Sequence, residues 1–178
     1  MQLHDDMTLR VTALPADAQW APSPLAGVER RMLDRSGGEV ARATSIVRYA
    51  PGARFDRHVH KLWQFTAGDT APLRLDTRAG EWRQGLVPGL TVLPLHSHDG
   101  IDTALVRWAP HTRFQPHTHP GGEEILVLQG VFSDEWGHYP QGSWLRSPRW
   151  SQHAPFTEAE GALILVKVGH LGVTFLAP

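Results

Sequence analysis

Apolar and polar residues alternate in short runs along most of the chain, and Gly, Pro, Ser and Asp break the runs before any helical period can build. Thr8 to Leu14 is one such run, with the character of an edge strand. Val28 to Leu33 and Ala43 to Tyr49, separated by Ser36-Gly37-Gly38, predict a hairpin. Thr66 to Leu86 reads as a connector holding one short strand, Pro72 to Asp76. Leu90 to Leu95 and Thr103 to Ala109 follow as strands. Beyond them come an apolar run from Glu123 that ends at Gly130, a strand and turn over Val131 to His138, a strand over Ser143 to Arg146, and a last run over Ile164 to Leu171. Strands of this length between turns predict an all-β sandwich or barrel.

The chain also repeats itself. Ser45 to His60, SIVRYAPGARFDRHVH, overlaid without gaps on Ala104 to His119, ALVRWAPHTRFQPHTH, agrees at 8 of 16 positions, and LAGVERRML upstream corresponds loosely to VPGLTVLPL. This pattern marks a duplicated supersecondary unit. Past the HxH pairs the copies diverge. His119 leads into a turn, two acids and further strands, whereas His60 leads directly into KLWQF, which aligns Lys61 with Lys167 near the end of the second copy. The first copy therefore reads as truncated, lacking the stretch that carries the acids and the last His. For His58 and His60 three fates are open: vestigial ligands, partners of His96 and His98 in a second site, or solvated side chains. The vestigial reading is preferred.

Chemistry concentrates in the second copy, in PHTHPGGEEILVLQG from Pro116 to Gly130. Strand residues two apart project from one face, so His117 and His119 aim at one spot. Pro120, Gly121 and Gly122 supply a tight turn, and Glu123 opens the next strand with its carboxylate returning to the mouth of the same hairpin. Alternation along the strand allows only one of Glu123 and Glu124 to face inward, and Glu123 is assigned inward. His153, after the Pro/Gly-marked strand YPQGSWLRSP, is the fourth candidate. Neutral imidazoles and a carboxylate on rigid strands suit a divalent cation. Val127 is expected to face this site, with Phe132, Trp136, Tyr139, Trp144 and Trp150 on a rim suited to a flat or apolar small molecule. Arg48 and Arg107, matched in the repeat, are either grips for a carboxylate or structural partners. Asp134 and Glu135 sit near a turn and are read as solvated.

Composition narrows the picture further. A net charge of −1, with 17 Lys and Arg spread along the chain, lacks the basic stripe of a nucleic-acid binder, so no nucleic-acid partner is expected. The absence of Cys excludes disulfides and thiolate ligands and leaves His and carboxylate as the donors for any metal. The first residues carry acids where a signal peptide needs bases, and no apolar run approaches roughly 18 residues. A soluble, cytoplasmic protein with no membrane contact is expected.

Taken together, His117, His119, Glu123 with Glu124, Gly130, Pro140 with Gly142, and His153 resemble the pattern of the cupin superfamily, and more closely its ChrR-like branch, named for the metal-binding domain of an anti-sigma factor. The resemblance covers roughly Val87 to Leu171 and, more weakly, Trp20 to His60. It implies a small antiparallel β-barrel, a jelly roll, holding one divalent ion per chain (Fe, Zn, Mn or Ni) through three His and one Glu, with additional strands from a degenerate half-repeat. Residues 1–86 would form that half-repeat with its connector, and residues 87–178 the complete barrel. The anti-sigma activity depends on a separate helical zinc module with Cys ligands, which this sequence does not contain, so that activity is not carried over.

Two functions follow for such a site, beside a third reading in which the metal only ties the barrel together. One is a metal-dependent oxygenase of the cupin dioxygenase type acting on a small oxygenated molecule, with the metal's open positions as its centre and no Ser or Cys nucleophile. The other is a metal-bound sensor or ligand-binding module without turnover. The lack of an output module in the sequence tilts the reading toward the enzyme. A homodimer is expected, because the unclosed strands of the first copy need pairing.

Overall fold

The computed structural model describes residues 2–38, 41–53 and 75–172. Its strands are β1 (Val11–Ala13), β2 (Ala21–Pro22), β3 (Val28–Gly37), β4 (Ala41–Tyr49), β5 (Arg83–Gln84), β6 (Leu90–His98), β7 (Ile101–Trp108), β8 (His117–His119), β9 (Glu123–Asp134), β10 (Gly137–Pro140), β11 (Trp144–Ser147), β12 (Ser151–His153) and β13 (Ala162–Val168). The helical content of the described residues is two single turns of 3-10 helix, Pro15–Asp17 and His170–Gly172. Among the described residues no helix is long and apolar enough to cross a membrane. The protein is an all-β jelly roll, and the chain divides into two compact units: Met1–Asp6 with Asp17–Arg74, and Met7–Ala16 with Leu75–Pro178.

In the first unit β2, β3 and β4 form an antiparallel sheet in that order. The hairpin expected from Val28 to Tyr49 is present and longer than its apolar runs, because β3 continues through polar residues to Gly37 opposite Ala41. Val28 and Leu33 are its buried apolar anchors. His58, His60 and KLWQF lie outside the described residues, as does most of the short strand expected at Pro72 to Asp76. The described end of that stretch, Leu75 and Asp76, is not in a strand.

The second unit carries the larger sheet, ordered β1-β11-β9-β13-β7-β6-β5 with β10 also on β9, and a two-stranded sheet, β12 with β8. The alternation at Thr8 to Leu14 becomes β1, at one end of the large sheet on β11. The long strand β9 is the spine. Its first half pairs with β11 on one side and β13 on the other, and its last four residues pair with β10. Gly130, expected to end a strand, instead lies within β9, so Val131 is not the start of a separate one. Its φ of +69° and the Gly161 carbonyl packed where a Cβ would project make glycine the residue that fits. Just before it the pairing to β13 slips, with Ile164 opposite Val127 but Leu163 opposite Gln129. The inserted residue bends the strand and reverses which side chains face inward. Ile125, Val127, Phe132, Leu145 and Ile164 are among the buried core that results.

The duplication is visible in backbone register. Ala21 faces Arg30 and Pro22 faces Glu29 in the first unit, and Arg83 faces Val92 and Gln84 faces Thr91 in the second. Irregularities recur at equivalent points, Met32/Asp34 and Pro94/His96. Each unit also stacks an arginine 4.2 Å from a tryptophan ring, Arg48 on Trp20 and Arg107 on Trp82. Arg48 additionally donates from Nη2 to Glu29 at 2.6 Å. Arg48 thus takes the structural alternative, an ion pair with Glu29, whereas Arg107 is held by its stack on Trp82.

Candidate metal centre

The site is built where β8, β12 and the start of β9 meet. Antiparallel pairing sets His153 opposite His117 and Ser151 opposite His119. The i, i+2 spacing of His117 and His119 turns both rings to the side that His153 faces, with ring centroids 4.6 to 5.0 Å apart. A tight turn follows, in which the Gly122 N–H donates to the His119 carbonyl at 3.1 Å, and the chain returns as β9 with Glu123 first. Glu123 is central in the sheet, between Ser147 and Val168, and buried. Glu124 points the other way, its Oε2 3.2 Å from His170 Nε2.

His119 Nε2 lies 3.1 Å from His153 Nε2, and Glu123 Oε2 lies 3.6 Å from the first and 3.5 Å from the second. One nitrogen of His117 joins them, so that the three His can offer ligand atoms all within 4.8 Å of one another. His117 Nδ1 is committed to the Gln115 carbonyl at 3.0 Å, which leaves Nε2 with its lone pair. Adjacent donors about 2.0–2.2 Å from a cation stand about 3.0 Å apart in an octahedron and about 3.4 Å apart in a tetrahedron. The observed triangle falls close to that range. Among the described residues Glu123 Oε2 is buried without a hydrogen-bond partner, an orphaned oxygen that a cation between it and the two Nε2 atoms would satisfy. The residues present therefore fit a divalent ion.

Electrostatics agree with that fit. Burial, reinforced by the neighbouring His153 and His117, pushes the His119 pKa down to about 3. Burial also lowers that of His117, against the bond to Gln115. Burial pushes Glu123 up to about 7, with His153 and Arg10 acting in the opposite direction. Neutral imidazoles are the form that ligates, and a carboxylate costly to ionise alone is one whose charge calls for a cation.

Asp134 corrects the expectation of a solvated residue. It is buried, takes a 2.5 Å bond from Arg10 Nη2, and accepts at 2.9 Å from both the Tyr139 hydroxyl and the Trp136 N–H. Burial works to raise its pKa, but His153, Arg10 and the Trp136 N–H outweigh burial and hold it down to about 2. Its Oδ2 stands 3.5 Å from His153 Nδ1, behind the ring nitrogen that faces the cluster. Counting alternate residues from Glu123 puts Asp134 outside; the slip before Gly130 brings it in. Glu135 is exposed, as expected, and its Oε2 accepts from the Ala154 N–H at 2.9 Å.

A cavity of about 350 Å³ opens onto His117, Glu123 and His153. Of the aromatic residues expected around the site, Phe132 lines it. Tyr139 and Trp144 are buried in the packing, and Trp136 and Trp150 are exposed at 68% and 66%. Val127 belongs to the core and does not line the cavity. Trp108 and Phe114 line it instead. Their positions follow from strand pairing and from the Phe114 N–H bond to Pro155, neither of which a single run of sequence displays.

A jelly roll with a histidine cluster inside its strands places the protein in the cupin superfamily. Within it, the chain belongs to the ChrR cupin-like domain family, whose model matches residues 8–64 and 70–172. No curated protein matches the chain. Among solved structures, the complex of Rhodobacter sphaeroides SigE with the anti-sigma ChrR is 23% identical with a TM-score of 0.47, covering 52% of this chain and 51% of that one. The chain thus spans about half of that relative. A protein of unknown function with a cupin-like fold from Ralstonia eutropha is 18% identical with a TM-score of 0.52, covering 58% and 70%. An RmlC-like cupin from the same organism is 17% identical with a TM-score of 0.51, covering 55% and 68%. These likenesses are likenesses of fold.

Proposed function

We propose that the chain is a metal-dependent cupin enzyme of the oxygenase type, acting on a small oxygenated molecule, with one divalent ion held by His117, His119, Glu123 and His153. The observation that carries the reading is the orphaned Glu123 Oε2 facing two Nε2 atoms, with a cavity opening directly onto the group. An ion that served only to tie strands together would need no such cavity. A bound divalent ion would supply Lewis acidity and, as iron(II), the capacity for O₂ chemistry. The protein's own part is to hold the His117 and His119 rings neutral, fix the free nitrogen of His117 through Gln115, and keep apolar walls against the site. No Ser or Cys nucleophile enters this reading, so activity that survives complete chelation would overturn it.

The second reading, a metal-bound sensor or ligand-binding module without turnover, is supported by membership of the ChrR cupin-like family. Elemental analysis of protein purified without chelator or affinity metal, joined to O₂ uptake with and without iron(II), separates the two. Iron with substrate-dependent uptake supports the enzyme. Tightly held zinc with no turnover supports the module.

The first copy, within residues 1–86, is read as a truncated half-repeat that holds no metal, and residues 87–178 as the complete barrel. A homodimer pairing the strands of that half-repeat completes the proposal. Replacing His58 and His60 together by Ala should leave one ion per chain; a halved metal content would contradict it.

A further inference from the structure

Strand register orders one wall of the cavity from the histidine end outward. Val168 lies opposite Glu123, and Val166, two residues back along β13, lies opposite Ile125. Two further back Ile164 faces Val106, which in turn faces Val92, and two further again Ala162 faces Trp108. Ala162 and Val168 aside, all of these line the cavity, so the wall is a succession of rows, each about 6.4–6.8 Å of strand from the next. Phe114 and Phe132, also on the lining, join its two ends. The Phe114 ring centroid is 4.6 Å from His117 and 6.3 Å from Trp108, and that of Phe132 is 6.4 Å from His153 and 5.5 Å from Trp108. Past the last row comes the rim. Leu90 pairs with Trp108, and the Gly85 N–H donates to the Leu90 carbonyl at 2.8 Å, which sets the lining residue Leu86 just beyond. Gln84 fixes this turn by donating from Nε2 to the Val87 and Leu90 carbonyls, so its amide is spent. Leu86 is 87% exposed. Single exposed leucines are ordinary on a surface, but this one borders a cavity that ends at the histidine cluster, where a bound apolar group would cover it.

We propose that this site takes an elongated molecule, with an oxygen-bearing chelating head at His117, Glu123 and His153 and an apolar body that runs along the Ile125–Val166 and Val92–Val106–Ile164 rows to Leu86. The inference deepens the enzyme reading above and rests on it for the head. A bound cation favours an anionic head, so discrimination falls on the body. Polar atoms there would give up water to Val and Ile side chains that offer no hydrogen bond in return. Leu86 is the specificity-determining residue for the length of the body, because only a body that passes every row reaches it.

The test uses the full chain loaded with zinc and straight-chain hydroxamic acids from acetohydroxamate to decanohydroxamate, in which the chelating head is constant and the body grows. Calorimetric affinity should rise about fourfold per added methylene and level off once the body extends past Leu86. Hexanohydroxamate with one mid-body methylene replaced by an ether oxygen keeps the length and the head, and it should bind at least about fivefold more weakly than its parent. Leu86→Ser alters an exposed side chain, and it should cut the ratio of octanohydroxamate to butanohydroxamate affinity by about threefold or more. Affinity that is flat with length or still climbing at decanohydroxamate would overturn the inference, as would an ether analogue equal to its parent or an unchanged ratio in Leu86→Ser. Zinc titration of the same samples keeps the two readings apart. Zinc binding with any of those results defeats only this inference, and failure to bind zinc defeats the metal centre and the anchoring of the head with it.

Discussion

Glu123 and Glu124 are adjacent in sequence and chemically alike, yet β9 turns one toward the histidines and the other toward His170. Glu123→Gln should therefore weaken zinc binding well beyond 100-fold, whereas Glu124→Gln should change it by less than about threefold, since its partner lies outside the cluster. Isothermal titration of both variants checks this, and equal losses would contradict the inward assignment. Asp134 acts one step further back. Asp134→Asn keeps the shape but weakens the acceptor facing His153 Nδ1, and it should lower zinc affinity by about 10- to 100-fold. The same titration reads it, with Arg10 and Tyr139 expected to show smaller effects because they reach the ring only through Asp134. That His117 and His119 share a face, with Glu123 just past a tight turn, was legible from spacing, since i, i+2 alternation needs no tertiary information; His153 joins them only through the pairing of β12 with β8. Asp134 was not legible, because its inward position depends on one inserted residue in a strand pairing.

At the scale of elements, β9 both supplies Glu123 and bends to carry Asp134 behind His153. That bend depends on Gly130. A Cβ there would meet the Gly161 carbonyl as well as an unfavourable φ, so Gly130→Ala should destabilise the fold by about 2 kcal/mol or more. Thermal unfolding should show a correspondingly lowered Tm, and an unchanged Tm would mean that the bend is not needed. Turn chemistry located most of the strands, including β3, β4, β6 and β7. It mistook Gly130 for a strand end because a glycine at positive φ inside a bulged strand looks, in sequence, like a glycine in a turn. The aromatic rim was misjudged for a related reason: composition shows that tryptophans are present, but only pairing shows that Trp144 packs inside while Trp136 and Trp150 face solvent.

For the molecule as a whole, proton uptake gives a signature of the centre. In the metal-free protein Glu123 is raised to about 7, so its contribution to stability is complete below the ordinary carboxylate value and disappears as pH rises through 7. His119 is depressed to about 3, so its contribution is present above the ordinary imidazole value and is lost as pH falls toward 3. The metal-free form is thus most favoured between about pH 4.5 and about pH 6.5 as far as these two groups decide. A bound cation stabilises ionised Glu123 and neutral His119 together. The Tm difference between zinc-loaded and metal-free protein should widen from about pH 5 to about pH 8, and a constant difference would contradict this balance. The duplication was also legible in the sequence, from Ser45 to His60 against Ala104 to His119. Its full extent, the shared register and the paired Arg–Trp stacks, appears only when strand partners are known.

The central claim is the ligand set, and the X-ray absorption fine structure of zinc bound to the purified protein addresses it most directly. The account predicts a first shell about 2.0–2.2 Å from the ion, made of three imidazoles and one carboxylate with or without water, and loss of one imidazole in His153→Ala. A shell with no imidazole, or one unchanged by that substitution, would contradict it.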